Sequence, residues 1–204
     1  MIPDVRIHAL ILAAGRGARV GGPKALLTLD GETFLARVAR LLRRPGVERV
    51  MAVLGHEADR VRREAALPPD VGVTVNARYA EGMLTSILAG LDHAEAAGAE
   101  AVLVHPVDHP LVEAATVDAV VAALAQGATI AVPSHGGRRG HPAGFARSAW
   151  AALRAADPEE GARGVLARHP EWIEHVPAGE ECHLGVNTAE DYERLKQRIF
   201  DRRG

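Results

Sequence analysis

Apolar residues fall along this chain in two alternating patterns. One is a short, nearly unbroken run, at residues 7–12, 50–54, 101–104 and 128–132, the pattern of strands buried on both faces. Val71, Val73 and Val75 add a strictly alternating strand, and residues 172–176 a late one. The other pattern repeats at helical spacing: Leu35, Val38, Leu41 and Leu42, then Met83, Leu84, Ile87, Leu88 and Leu91, then Val117, Val120, Val121 and Leu124. Arg37, Arg40, Arg43 and Arg44 read as the solvated face of the first of these helices. Tyr192, Leu195 and Ile199 form the inward stripe of a last helix, with Thr188 as its N-cap and Asp191 at the capping-box position. Shorter helices fit residues 57–66, the stretch around Trp150 and Leu153, and residues 161–168. Strands alternating with helices predict an α/β domain on a mostly parallel sheet covered on both faces.

Composition narrows the class without naming an activity. At 204 residues the chain fits one domain, residues 1–204, able to bury a core without disulfides or a structural metal. A formal charge of −2 and a pI near 6.6 give no global attraction to nucleic acid or membrane, so any anion site must be local. The one cysteine, Cys182, excludes a disulfide framework and a thiolate zinc cluster, and the adjacent Glu180 and Glu181 would raise its pKa, against a nucleophilic role. The opening Met-Ile-Pro-Asp lacks the pattern of a signal peptide, and no apolar stretch is long enough for a bilayer span, which predicts a cytoplasmic protein.

The stretch at residues 6–29 changes the picture. Its strand stops at small residues, Ala13, Ala14, Gly15 and Gly17, which leave main-chain N–H groups open to an anion, while Arg16, Arg19 and Lys24 add positive charge. Gly21, Gly22 and Pro23 hold off a regular helix until after Lys24. The glycines are spaced one residue too far for the dinucleotide turn G-x-G-x-x-G, and Gly22-Pro23-Lys24-Ala25 is not the Gly-Lys-Ser/Thr of a P-loop. The bland reading is a tight glycine turn with solvated arginines.

In an open parallel sheet, ligands sit beyond the carboxyl ends of the strands. That rule gathers the glycine loop, residues 76–82, the loop of Asp108 and the turn at Asn187. Asp108, between Pro106 and Pro110, faces a cationic phosphate loop, which makes sense with a magnesium ion between them; one Asp and one Asn oxygen would suffice beside phosphate and water. Its alternative role is to cap the helix after Pro110. Residues 134–144, glycine-rich and basic, read as a mobile lid or substrate loop. His105, His109, His135 and His141, among ten scattered histidines, lack the spacing of a zinc or nickel site.

The loop L-A-A-G-R-G-A-R-V-G-G-P-K-A-L-L resembles the signature of the nucleotidyltransferases of the nucleotide-diphosphosugar transferase superfamily, a three-layer α/β/α fold. The MobA/MocA-like group, the molybdenum cofactor cytidylyltransferases with their guanylyltransferase relatives, is the most similar. N-A-R-Y-A-E-G-M-L-T-S-I-L-A-G-L, P-V-D-H-P-L-V, R-R-G-H-P-A-G-F and E-G-A-R-G-V-L extend the likeness over residues 7–195. The resemblance implies a nucleotide site at Leu12, Ala13, Ala14, Gly15 and Gly17, with Arg19 and Lys24 neutralising phosphate. Asn76, Gly82 and Ser86 would be near the base, Ser86 also within reach of the acceptor, and Asp108 and Asn187 would hold magnesium. The late motif reads G-V-N-T where such cytidylyltransferases show Asp-x-Asp-Thr; its Asn is similar to the sugar nucleotidyltransferases and guanylyltransferases. His109 and His141, each beside a proline, and Arg139 are candidates for acceptor contacts, although Arg138, Arg139 and Arg147 could equally be a solvated edge.

The implied reaction transfers a nucleoside monophosphate, from CTP first of all, to a phosphorylated molybdopterin-type acceptor and releases pyrophosphate. Catalysis would rest on Arg19, Lys24 and Asp108. The alternatives are a guanylyl or sugar-phosphate transferase, or a non-catalytic nucleotide or cofactor binder that partners a molybdoenzyme or its chaperone.

Overall fold

Residues 7–13 are buried on both faces because the strand they form, β1 (Ile7–Ala13), lies in the middle of the sheet. The computed structural model describes residues 5–201, with side chains through Ile199. The opening Met-Ile-Pro-Asp lies outside the described residues, and among those no helix is long and apolar enough to cross a membrane. After β1 come β2 (Thr28–Leu29), β3 (Glu32–Thr33), α1 (Phe34–Leu42), β4 (Val47–Leu54), α2 (Ala58–Glu64), β5 (Gly72–Val75), α3 (Met83–Ala96), β6 (Ala101–Pro106) and α4 (Ala114–Ala125). They are followed by β7 (Ile130–His135), β8 (Arg138–Arg139), β9 (Ala143–Ala146), α5 (Trp150–Arg154), α6 (Gly161–Arg168), β10 (Ile173–Pro177) and α7 (Ala189–Asp201).

The sheet runs β10-β7-β9-β6-β1-β4-β5, with β8 attached to β7, and the short β2–β3 hairpin stands apart. β1 pairs in parallel with both β4 and β6, and β4 with β5, so these four strands end on one edge of the sheet. Alternation along β1 divides the core: Ile7, Ala9, Ile11 and Ala13 join Phe34, Leu35, Val38 and Val117 of α1 and α4 on one face. Leu10 and Leu12 join Leu84, Ile87 and Leu91 of α3 and Trp150 and Leu153 of α5 on the other. This is the three-layer α/β/α arrangement, and each fully buried Leu, Ile or Phe contributes on the order of 1.5–3 kcal/mol.

Several expectations change. Residues 134–144 are more regular than the loop expected: Gly136 and Gly137, at φ 54° and 77°, turn β7 back into β8, and the chain then enters β9, antiparallel between β6 and β7. Two adjacent glycines at positive φ suit a tight hairpin. Arg40, Arg43 and Arg44 are solvent-accessible, as expected, and are also ion-paired. Arg40 meets Glu32 at 2.9 Å, Arg43 meets Asp70 at 2.8 Å and Arg44 meets Asp118 at 2.7 Å, although such exposed pairs contribute little each. At the last helix the expected cap is present: Asp191 N–H donates to Thr188 Oγ1 at 3.1 Å, and the N–H groups of Asn187 and Thr188 donate to Asp191 Oδ2, each at 2.9 Å.

Candidate functional site

The strand order reverses at β1: the chain builds outward through β4 and β5, then crosses to the other side of β1 to lay down β6. The loops after β1 and β6 therefore diverge at their shared edge and leave a crevice, the usual ligand position in such sheets. The cavity there has a volume of about 260 Å³, somewhat below that of pockets that engulf a drug-sized ligand, so part of any nucleotide would remain in solvent. Its walls are Leu12, Ala13, Ala14, Gly15, Gly17 and Lys24 from the first loop, and Pro106, Val107 and Asp108 from the end of β6. Tyr79, Ala80, Gly82, Met83 and Ser86 close the third side from the start of α3.

The first loop holds its shape through Gly17. At φ 61° it is left-handed, its carbonyl accepts from the N–H groups of Val20 and Gly22, and a Cβ there would stand 1.9 Å from the Gly22 oxygen. No side chain fits. Pro23 then caps a single 3-10 turn, Lys24–Leu26, and the first α-helix waits until Phe34. Lys24 is thus set at the start of a turn, and its ammonium donates to Asp108 Oδ2 at 2.6 Å and to Asn187 Oδ1 at 2.9 Å.

Asn187 reaches this point because its turn is tied down twice. Val186 N–H donates to the Asp108 carbonyl at 2.9 Å, and Tyr192 in α7 donates its hydroxyl to the Thr28 carbonyl at 2.6 Å while its ring meets Phe34 edge-on. Asp108 does not cap the following helix, whose N-cap is Glu113. Burial on its own would push the Asp108 carboxyl up, but the hydrogen bond and charge of His109 and the Lys24 ammonium outweigh it and hold the group well below the usual carboxylate range. It is an anion at any working pH.

The remaining predicted residues divide. Asn76 is buried behind the wall, its amide donating to Thr85 Oγ1 at 2.8 Å and Ser86 Oγ at 3.0 Å, so it braces Ser86 and does not itself line the cavity. Arg19 is exposed at the end of the 3-10 turn Ala18–Val20, and Arg139 is exposed in β8; neither is among the residues of the cavity wall. Arg147 lies with Glu95 at 2.8 Å and over the Trp150 ring. Tyr79 lines the cavity from within the 76–82 loop, whereas Met83, expected on the apolar stripe of its helix, is instead 60% exposed and forms part of the wall. Burial first, and the Glu181 charge second, push the Cys182 thiol up, so the expected direction holds with a different leading cause.

Three of the histidines do converge. The His109 ring lies 4.6 Å from that of His141 and 6.4 Å from that of His105, centre to centre. Among the described residues, no group of three or more His, Cys, Asp or Glu side chains is arranged to hold a metal. His105 donates from Nε2 to the His109 carbonyl at 3.1 Å, while its Nδ1 is buried with no partner, the pattern of a neutral ring. Burial, then the charge of His109, pull its pKa down to about 3. Between that value and the ordinary 6.5, the unfolded chain binds a proton that the fold excludes, so stability rises with pH across this window. The urea midpoint is therefore expected to fall between about pH 7 and about pH 5, and His105→Gln, which keeps a donor but does not titrate, should flatten the fall. An equal slope in both proteins would show that His105 does not contribute.

With this geometry in view, likeness to known proteins becomes informative. Residues 9–173 match the family model described as MobA-like NTP transferase domain. A molybdenum cofactor guanylyltransferase of Cereibacter sphaeroides is 36% identical over 200 residues, covering 94% of this chain and 96% of that protein. A 2-C-methyl-D-erythritol 4-phosphate cytidylyltransferase of Streptomyces avermitilis is 35% identical over 136 residues, covering 63% of this chain and 54% of that one. Among solved structures, Rv0371c of Mycobacterium tuberculosis H37Rv superposes with a TM-score of 0.83 at 28% identity, over 95% of this chain and 99% of that one. A second structure of Rv0371c is a complex with manganese, with a TM-score of 0.73 at 27% identity over 95% and 99% of the two chains.

Proposed function

The chain belongs to the MobA-like NTP transferase family of nucleotidyltransferases, and from that premise we propose that it transfers GMP from GTP to the phosphate of a molybdopterin-type acceptor, with magnesium as its cofactor. The observation that carries the reading is the meeting of Lys24, Asp108 and Asn187 beside the glycine- and alanine-rich loop of the crevice. GTP is placed before the CTP expected from the loop motif because a guanylyltransferase is similar over nearly the whole chain, and because the late motif carries Asn187. The shorter likeness to a cytidylyltransferase supports CTP as the second reading.

The donor set suits magnesium. Asp108 Oδ2 and Asn187 Oδ1 are hard oxygen ligands that converge on one point, and that point already accommodates the positive charge of Lys24. Two protein oxygens are few, as magnesium prefers when phosphate and water complete its shell. Bound there, the ion would draw charge from the phosphate oxygens. The Ala13-to-Gly17 backbone would line the triphosphate, and Lys24, turned from Asp108, would neutralise the charge that gathers as the acceptor phosphate attacks the α-phosphate in line and pyrophosphate leaves. An acceptor phosphate is already ionised, so no general base is needed. The apolar ring of Tyr79 and the side chain of Met83 offer a surface for the base or the acceptor. Lys24 and Asp108 together argue against a non-catalytic binder.

A thermal-shift panel of GTP, CTP, ATP and UTP, with and without magnesium, tests the reading. Binding at about 100 times Kd adds about 2.7 kcal/mol, or roughly 5–10 °C for a chain of this size. GTP with magnesium should give the largest shift. A preference for CTP would move cytidylyl transfer to the front, and no shift with any nucleotide would leave a non-catalytic cofactor binder as the favoured alternative.

A further inference from the structure

The two oxygens of Asp108 have different partners. Oδ2 faces Lys24, while Oδ1 lies 3.0 Å from Nδ1 of His109, the next residue in the chain. An ionised carboxylate only accepts, so His109 Nδ1 carries the hydrogen and donates it. Folding an imidazole back onto its immediate neighbour needs outside support, and the structure supplies it on several sides. The His109 N–H donates to the Pro106 carbonyl at 3.2 Å, its carbonyl accepts from His105, and the His141 ring lies against it at 66° between planes. The last side is Gly185. A Cβ built there would lie 2.9 Å from His109 Cε1 and 3.0 Å from Nε2, closer than real Cβ contacts allow without movement of the ring.

We propose that His109 is the positioning residue of Asp108, locking Oδ1 so that Oδ2 alone is presented to the crevice, and that Gly185 is side-chain-free in order to seat the imidazole. The inference rests on the reading of Asp108 as a metal-holding carboxylate. A carboxylate held by one oxygen is restrained from turning about its Cβ–Cγ bond, so the other oxygen keeps its direction toward Lys24. Neither His105 nor His141 touches Asp108 in this scheme; they hold the ring that holds the carboxylate. This gives the histidine cluster a role that requires no metal on the histidines themselves.

The test is Mn2+ binding to the nucleotide-free full chain, followed by electron paramagnetic resonance, for the wild type and for D108A, H109L, H109N, G185A and the H109N/G185A pair. Loss of an outer-shell partner typically weakens metal binding by about 10- to 100-fold, and H109L should fall in that range. H109N, whose amide N–H can stand where Nδ1–H stands, should remain within about 3-fold of wild type. G185A should weaken binding beside the native imidazole but have no further effect in the H109N background, where the side chain is shorter, a coupling that a simple loss of fold would not produce. Equal losses in H109L and H109N would mean that the imidazole itself and not its Nδ1 hydrogen bond matters, and would overturn the proposal, as would unchanged binding in H109L while D108A loses it. Unchanged binding in D108A would instead remove the metal reading on which the proposal stands. Should H109L fail to fold, the comparison of G185A with the double variant decides alone.

Discussion

Replacing Asp108 with alanine is expected to reduce pyrophosphate release by on the order of 100- to 1000-fold or more, with the fold retained. The side chain is 17% exposed and makes contacts with Lys24 and His109, but its backbone, which holds Val186, does not depend on it. Loss of the carboxylate leaves two donors underused, at a cost of about 1–3 kcal/mol, a fraction of the stability of an ordinary domain. Circular dichroism should therefore match the wild type while turnover disappears. Asp108→Asn, with the same shape and no charge, should be nearly as inactive, since what the site needs there is a negative charge. Turnover within about threefold of wild type in either variant would mean that the chemistry is elsewhere.

Lys24→Met should produce two opposite effects. Transfer should fall by about 100-fold or more, because the ammonium that would offset phosphate charge is gone. The affinity of the nucleotide-free protein for a divalent cation should rise, by roughly 10-fold, because Lys24 bonds to the same Asp108 and Asn187 oxygens that the ion would use, and two cations cannot share them. Single-turnover kinetics and Mn2+ titration would read the two effects separately. A fall in both would mean that Lys24 supports the cation position and does not compete for it.

Much of this site was legible because its signals are local. Ala13 to Gly17 lie at the end of an apolar run, Asp108 between two prolines at the end of another, and Thr188 with Asp191 spells a helix start; each can be read within a few residues. Position in the sheet then follows from β–α alternation. What escaped the sequence was set by contacts between distant segments. The four residues of β9, A-G-F-A, carry no alternation, and only the gap between β6 and β7 makes them a strand. His105 and His109 share one short stretch, but His141 lies in a distant segment, and nothing in the sequence announces that the β7–β9 connection brings it to them. Arg139 was a candidate for acceptor contact as a cation near glycines; those glycines make the hairpin that carries it on β8, a pairing not legible in the sequence, and it is not among the residues of the cavity wall.

The hydrogen bond between Lys24 and Asn187 spans 163 positions of sequence. During synthesis the segment through β6 can lay down β1, β4, β5 and β6 and shape the first loop long before Asn187 has left the ribosome. At that stage Lys24 and Asp108 are present but their third partner is not, and α7 has yet to place Tyr192 on Thr28. Completion of the site is thus deferred to the docking of the last helix. A nascent polypeptide would acquire its sheet early and complete the Lys24–Asp108–Asn187 cluster late.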